Sequence, residues 1–81
     1  MSPKLRSISA IDLVKALKRD GFILKRQHGS HRIYLNPSNN RQVIVPYHHA
    51  GESLRIGTLT KLINDAGWTD DDLIRLGLMK K

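Results

Sequence analysis

The sequence predicts an α+β domain ordered α-β-β-β-α, with a three-stranded antiparallel sheet, helices on one face and a short C-terminal helix. Three observations carry this. Apolar residues recur at helical spacing in two segments, Ala10–Leu17 and Leu59–Ala66. Between them lie three short alternating or β-branched runs, separated by turn residues. The chain has 81 residues, enough for one domain and one modest core. In so short a chain only the helices can bury the apolar side of the sheet.

Residues 1–81 are therefore read as one domain, with residues 1–7 as a loose tail. Ser7 and Ser9 are both N-cap candidates, and Ser9 has Asp12 three residues on, close to a capping box. Ala10, Ile11, Val14 and Leu17 then set a helical stripe to about Asp20, where Gly21 stops it. Lys15, Lys18 and Arg19 fall on its outward face. Phe22–Gln27 alternates, with Phe22 and Leu24 on one face and Ile23 and Lys25 on the other. His28-Gly29-Ser30 is a turn signal. In His31–Asn36, Ile33 and Leu35 share one face and Arg32 and Tyr34 the other. Pro37-Ser38-Asn39-Asn40 is a second turn cluster. Gln42–Val45 is β-branched and ends at Pro46. These runs should form a meander.

Tyr47–Glu52 reads as a loop with two histidines. A second helix runs from Ser53 or Ile56 to Ala66, with Leu59, Leu62, Ile63 and Ala66 as its stripe and Gly67 after it. Thr69 can cap a last short helix whose first turn holds Asp70, Asp71 and Asp72, where the helix dipole favours carboxylates. Leu73, Ile74 and Leu76 give that helix something to bury. Residues 69–81 comprise this helix and a basic tail.

Composition narrows the function classes. There is no cysteine, which removes disulfides, thiolate zinc sites and cysteine nucleophiles. Apolar runs are only a few residues long, too short for a membrane span. The N-terminus lacks the apolar stretch of a signal peptide, so the cytoplasm is the expected compartment. Fourteen Lys and Arg stand against seven Asp and Glu, a net charge of +7. Residues 1–55 hold ten basic and three acidic side chains, so the whole surplus sits there. A domain with one strongly basic part is a candidate for polyanion binding, although basic charge can also serve solubility alone.

The densest candidate for chemistry is Gln27-His28-Gly29-Ser30-His31-Arg32. Glycine lets a ligand approach the backbone. The serine hydroxyl and nearby amides can hold a phosphate, and a histidine can move a proton near neutral pH. Arg32, Lys25 and Arg26 can neutralise a phosphodiester. Together they suit RNA cleavage, in which a ribose 2′-OH is deprotonated, the phosphorane charge is stabilised and the leaving oxygen is protonated. The plainer reading is a hairpin turn, with His31 as a hydrogen-bonded residue at the edge of the core.

His48 and His49 invite a metal reading. Adjacent histidines point different ways, however, and only Glu52 lies near, so no metal is expected. The loop is better read as a lip beside the turn that offers donors to RNA. Gly57 and Thr58 could turn helix-start amides toward a phosphate, or Gly57 could serve close packing on the sheet. Trp68 is read as a core plug ahead of a base-stacking platform. Tyr34 is placed for stacking, for covering an open sheet surface or for an interface.

Taken in order, Gly21-Phe22, Gln27-His28-Gly29-Ser30-His31, Val45-Pro46-Tyr47-His48, Gly57-Thr58-Leu59 and Ala66-Gly67 resemble the HicA-type (YcfA-like) mRNA interferase toxins. The resemblance covers about Ile11–Trp68. It implies a double-stranded-RNA-binding-domain-like fold, cleavage of messenger RNA without metal or small-molecule cofactor, and inhibition by a HicB-type antitoxin protein. On this resemblance the catalytic histidine falls on His31 and the structural glycine on Gly29. The Pro-x-His element falls on Pro46 and His48. A second proton-transfer group stays open among His28, His48, Tyr34 and water. Two other classes compete. One is a non-catalytic RNA-binding module using Lys15, Lys18, Arg19 and the strand-turn cations. The other is a domain whose basic face binds an acidic protein.

Overall fold

The computed structural model describes residues 4–5 and 7–80, without the side chains of Lys4, Leu5 and Lys80. Eight elements follow in order: β1 (Lys4–Leu5), α1 (Ala10–Arg19), β2 (Ile23–His28), β3 (His31–Asn36), β4 (Arg41–Pro46), α2 (Ile56–Ala66), α3 (Asp70–Arg75) and β5 (Met79–Lys80). The three central strands form an antiparallel sheet in the order β2-β3-β4, with the helices packed on one face. This is the double-stranded-RNA-binding-domain-like arrangement.

The helix boundaries follow from local chemistry. Ser9 is extended, and its hydroxyl accepts from the Asp12 amide, closing the first turn of α1. The amides of Ala10 and Ile11 donate to the carbonyls of Glu52 and Ala50, so the loop after β4 satisfies helix-start donors. Helix α2 ends at Gly67, whose φ of +75° favours glycine. A Cβ there would lie 2.5 Å from Arg41 Nε, so this glycine also makes room for a side chain. Thr69 and Asp72 form a reciprocal capping box at the start of α3.

The core joins all three helices to one face of the sheet. Leu13, Val14 and Leu17 of α1 meet Phe22, Tyr34, Val43 and Val45, with Leu59 and Leu62 of α2 closing over them. Trp68 plugs the end of this core, packing edge-on against Phe22 at 6.4 Å between ring centres. Its indole N–H donates to Asp20.

Two features differ from the sequence reading. Tyr34 is fully buried on the helix side and is not a stacking surface. Apolar side chains occur at both parities of the strands: Tyr34, Val43 and Val45 on one side, Ile33, Leu35 and Ile44 on the other. Alternation alone therefore does not decide which face the helices cover. The second difference concerns the chain ends. Lys4–Leu5, inside the segment expected as a loose tail, pairs antiparallel with Met79–Lys80. Residues 1–3, 6 and 81 lie outside the described residues.

Candidate nucleic-acid-processing site

The β2–β3 hairpin turns on Gly29 and Ser30, between the paired residues His28 and His31. Gly29 has φ +55° and Ser30 does not have a positive φ, the pattern of a two-residue hairpin turn with glycine first. A Cβ on Gly29 would meet nothing within 4 Å, so the glycine serves backbone conformation and leaves the turn open. Gln27 Nε2 donates to the Gly29 carbonyl at 3.1 Å, bracing the turn from within.

Residues paired across antiparallel strands share a face. His28 stands opposite His31, and His31 opposite Pro46. Arg26 pairs with Ile33, which pairs with Ile44, and Ile23 pairs with Leu35. All lie on the face the helices leave open. Two imidazoles thus sit at the hairpin end of this face, Arg26 lies level with Ile33 and Ile44 in the next row, and Ile23, Leu35 and Gln42 form the row beyond. Both histidines are exposed, as are Ile23 and Ile44. Lys25 occupies the irregular step between Leu24 and Arg26, where the strand register shifts, and is exposed.

Arg32 follows the opposite parity. It pairs with the buried Val45 and lies on the helix side of the sheet. Its guanidinium carbon is 3.7 Å from the centre of the Tyr47 ring. Its Nε is buried without a hydrogen-bond partner. Tyr47 in turn donates its amide to the Ser30 carbonyl, tying the loop after β4 to the hairpin turn.

His48, next in the chain, is exposed and lines a cleft of about 170 Å³ with Pro46, Ser53, Arg55 and Thr58. Arg55 caps α2 without a side-chain hydrogen bond. Gly57 is exposed, and a Cβ there would meet nothing within 4 Å, which removes the close-packing reading of this glycine. The expected cations of α1 are exposed but belong to the helix layer. Lys15 and Arg19 line a separate groove of about 210 Å³ with Leu76, Gly77 and Leu78, and Lys18 lies on the same helix.

The structure thus brings together Arg26, His28, Gly29, Ser30 and His31, and links His48 to them through Tyr47. It sets Arg32 on the other face and Lys15, Lys18 and Arg19 on another layer. Among the described residues no three His, Cys, Asp or Glu side chains cluster as metal ligands. No described helix is long and apolar enough to cross a membrane. Gln27 and Tyr47 lie within the runs singled out from the sequence, but their contacts, Gln27 bracing the turn and Tyr47 under Arg32, are found only in the structure. Tyr47 lies in the Pro-Tyr-His run, but the sequence gives no sign of its contact with Arg32, 15 residues earlier.

Compared with protein families, residues 11–68 match the family described as "HicA toxin of bacterial toxin-antitoxin". The chain belongs to the HicA toxin family. The matched segment begins in α1 and ends at Trp68, so it contains the whole sheet, the hairpin turn, the His48 loop and α2. The β1/β5 ribbon and α3 lie beyond it. No curated protein gave a match.

Proposed function

We propose that this HicA-family chain is an endoribonuclease toxin that cleaves messenger RNA in the cytoplasm without a metal or small-molecule cofactor. The observation that carries the reading is the exposed, cross-strand His28–His31 pair at an open glycine turn, within the family-matched segment. His31 takes the proton from a ribose 2′-OH, and the 2′-oxygen attacks the adjacent phosphorus. The bond to the 5′-oxygen breaks, leaving a 2′,3′-cyclic phosphate. The departing 5′-oxygen takes a proton from a second donor, and His28 is the candidate on the same face as His31. Tyr34 is excluded from that role because its hydroxyl is buried in the core. The turn amides, Ser30 and Arg26 face the developing charge.

The partner is a HicB-type antitoxin that covers this face. Two features support a protein there as well as RNA. Ile23, Leu35 and Ile44 place apolar side chains on this face that a phosphate backbone does not need. The basic surplus of residues 1–55 suits an acidic protein surface.

A second reading, a non-catalytic RNA-binding module, draws on the exposed cations of α1 and β2. The test is incubation of purified protein with RNA, with and without chelator, followed by analysis of the product ends. Cyclic phosphate ends formed in chelator support the nuclease. Binding without cleavage supports the module, and cleavage only with added metal contradicts the mechanism.

A further inference from the structure

Arg32 looks from sequence like a phosphate ligand, since it follows His31 directly. Its surroundings assign it different work. The strand turns its side chain to the face opposite His31, beside buried Tyr34 and Val45. An arginine that grips a phosphate presents an N–H fork to it. Here the Nε edge is buried and unpartnered, and the flat guanidinium covers the Tyr47 ring.

Tyr47 is the point where two parts of the candidate site meet. Its ring packs under Arg32 and against the core. Its amide donates to Ser30, the residue before His31. Its neighbours are Pro46, which pairs with His31, and His48, which lines the cleft at the start of α2. Fixing the ring therefore fixes the amide, and the amide fixes the turn.

We infer that Arg32 is a positioning residue: stacked on Tyr47, it locks the His48 loop onto the Gly29-Ser30 turn and so sets His31 for proton transfer. This rests on the nuclease reading for its consequence in catalysis, but not for its structural content. The two can therefore be tested apart.

The structural arm is amide hydrogen exchange followed by NMR on the full chain. Arg32→Ala and Tyr47→Ala remove the two halves of the stack. Exchange at residue 47 should accelerate about tenfold or more in Arg32→Ala, while amides in the centre of β3 keep their protection. Tyr47→Phe keeps the ring and the amide and should keep that protection. It also serves as the control if the alanine variants fold poorly. The kinetic arm uses a single-stranded oligoribonucleotide. Arg32→Ala should lower kcat about tenfold with little change in KM or in the salt dependence of binding. The Arg32→Ala/Tyr47→Ala pair should be no worse than either single variant, since both break the same stack.

Unchanged protection at residue 47 in Arg32→Ala overturns the inference. So does a raised KM at constant kcat together with a salt slope lower by about 0.7, the mark of one phosphate no longer neutralised on a single strand. If the unaltered protein cleaves no RNA, the nuclease reading fails while the exchange experiment still decides the stack.

Discussion

The indole nitrogen of Trp68 lies 2.7 Å from Asp20 Oδ2, joining the segment after α2 to the C-terminal end of α1. The other carboxylate oxygen of Asp20 accepts from Arg75 at 2.8 Å, and the Asp20 carbonyl accepts from Asn36 at 3.4 Å. One residue thus ties α1, β3, Trp68 and α3 together. Asp20→Ala should cost about 2 kcal/mol, mostly from the charge-assisted indole bond. Arg75→Ala should cost less than Asp20→Ala, because the guanidinium is exposed and its ion pair is screened by solvent. Thermal denaturation of both variants checks the order. Equal losses would mean that the ion pair, and not the indole bond, dominates.

The start of α3 should confer a pH dependence on stability. The Thr69 amide, chiefly, and the Arg75 guanidinium hold the Asp72 carboxyl below its ordinary value. A carboxylate with a lowered folded-state pKa stabilises the fold above its unfolded value, about 3.9 for aspartate. That contribution is lost as pH falls through the folded value. Asp72→Asn should therefore lose less melting temperature than the unaltered protein between pH 5 and pH 3. Thr69→Ala should cost about 1 kcal/mol at pH 7.

Tyr34 carries a fully buried hydroxyl without a hydrogen-bond partner. Burying an unpaired hydroxyl is unfavourable. Tyr34→Phe should accordingly leave the melting temperature unchanged or raise it. A fall worth more than about 1 kcal/mol would reveal a partner for the hydroxyl.

Much of this architecture is legible in the sequence. Of the stripe read as Ala10, Ile11, Val14 and Leu17, all but Ile11 are buried, with Leu13 taking its place; the Gly67 stop and the Thr69 cap likewise depend on neighbours within a few residues, and local chemistry settles them. The turn is equally local, but the sequence assigns it His28-Gly29-Ser30, whereas in the structure His28 ends β2 and pairs with His31 across a two-residue turn. The orientation of the sheet is not local. Val43, Ile44 and Val45 are all apolar, and only packing against α1 and α2 selects which of them enter the core. The Arg32–Tyr47 stack and the β1/β5 ribbon join residues far apart in sequence, and no spacing rule announces either.

Two sets of cations can be separated by salt dependence. Lys25 and Arg26 lie on β2 beside the hairpin turn, whereas Lys15, Lys18 and Arg19 lie on α1. Removing a cation that neutralises one phosphate of single-stranded RNA lowers the slope of log affinity against log salt by about 0.7. Charge reversal at Arg26 should lower the slope and slow cleavage together. Reversal at Lys18 should change cleavage less. Equal effects at the two positions would spread the RNA path across both layers.

Proton transfer by His31 on the open sheet face is the central claim. The most direct measurement is RNA cleavage by purified, folded His31→Ala in chelator, with RNA binding followed in parallel. Cleavage should fall by about 10²–10⁴-fold, the usual contribution of a positioned acid or base, while binding and melting temperature change little. Cleavage at the unaltered rate by folded His31→Ala would contradict the claim.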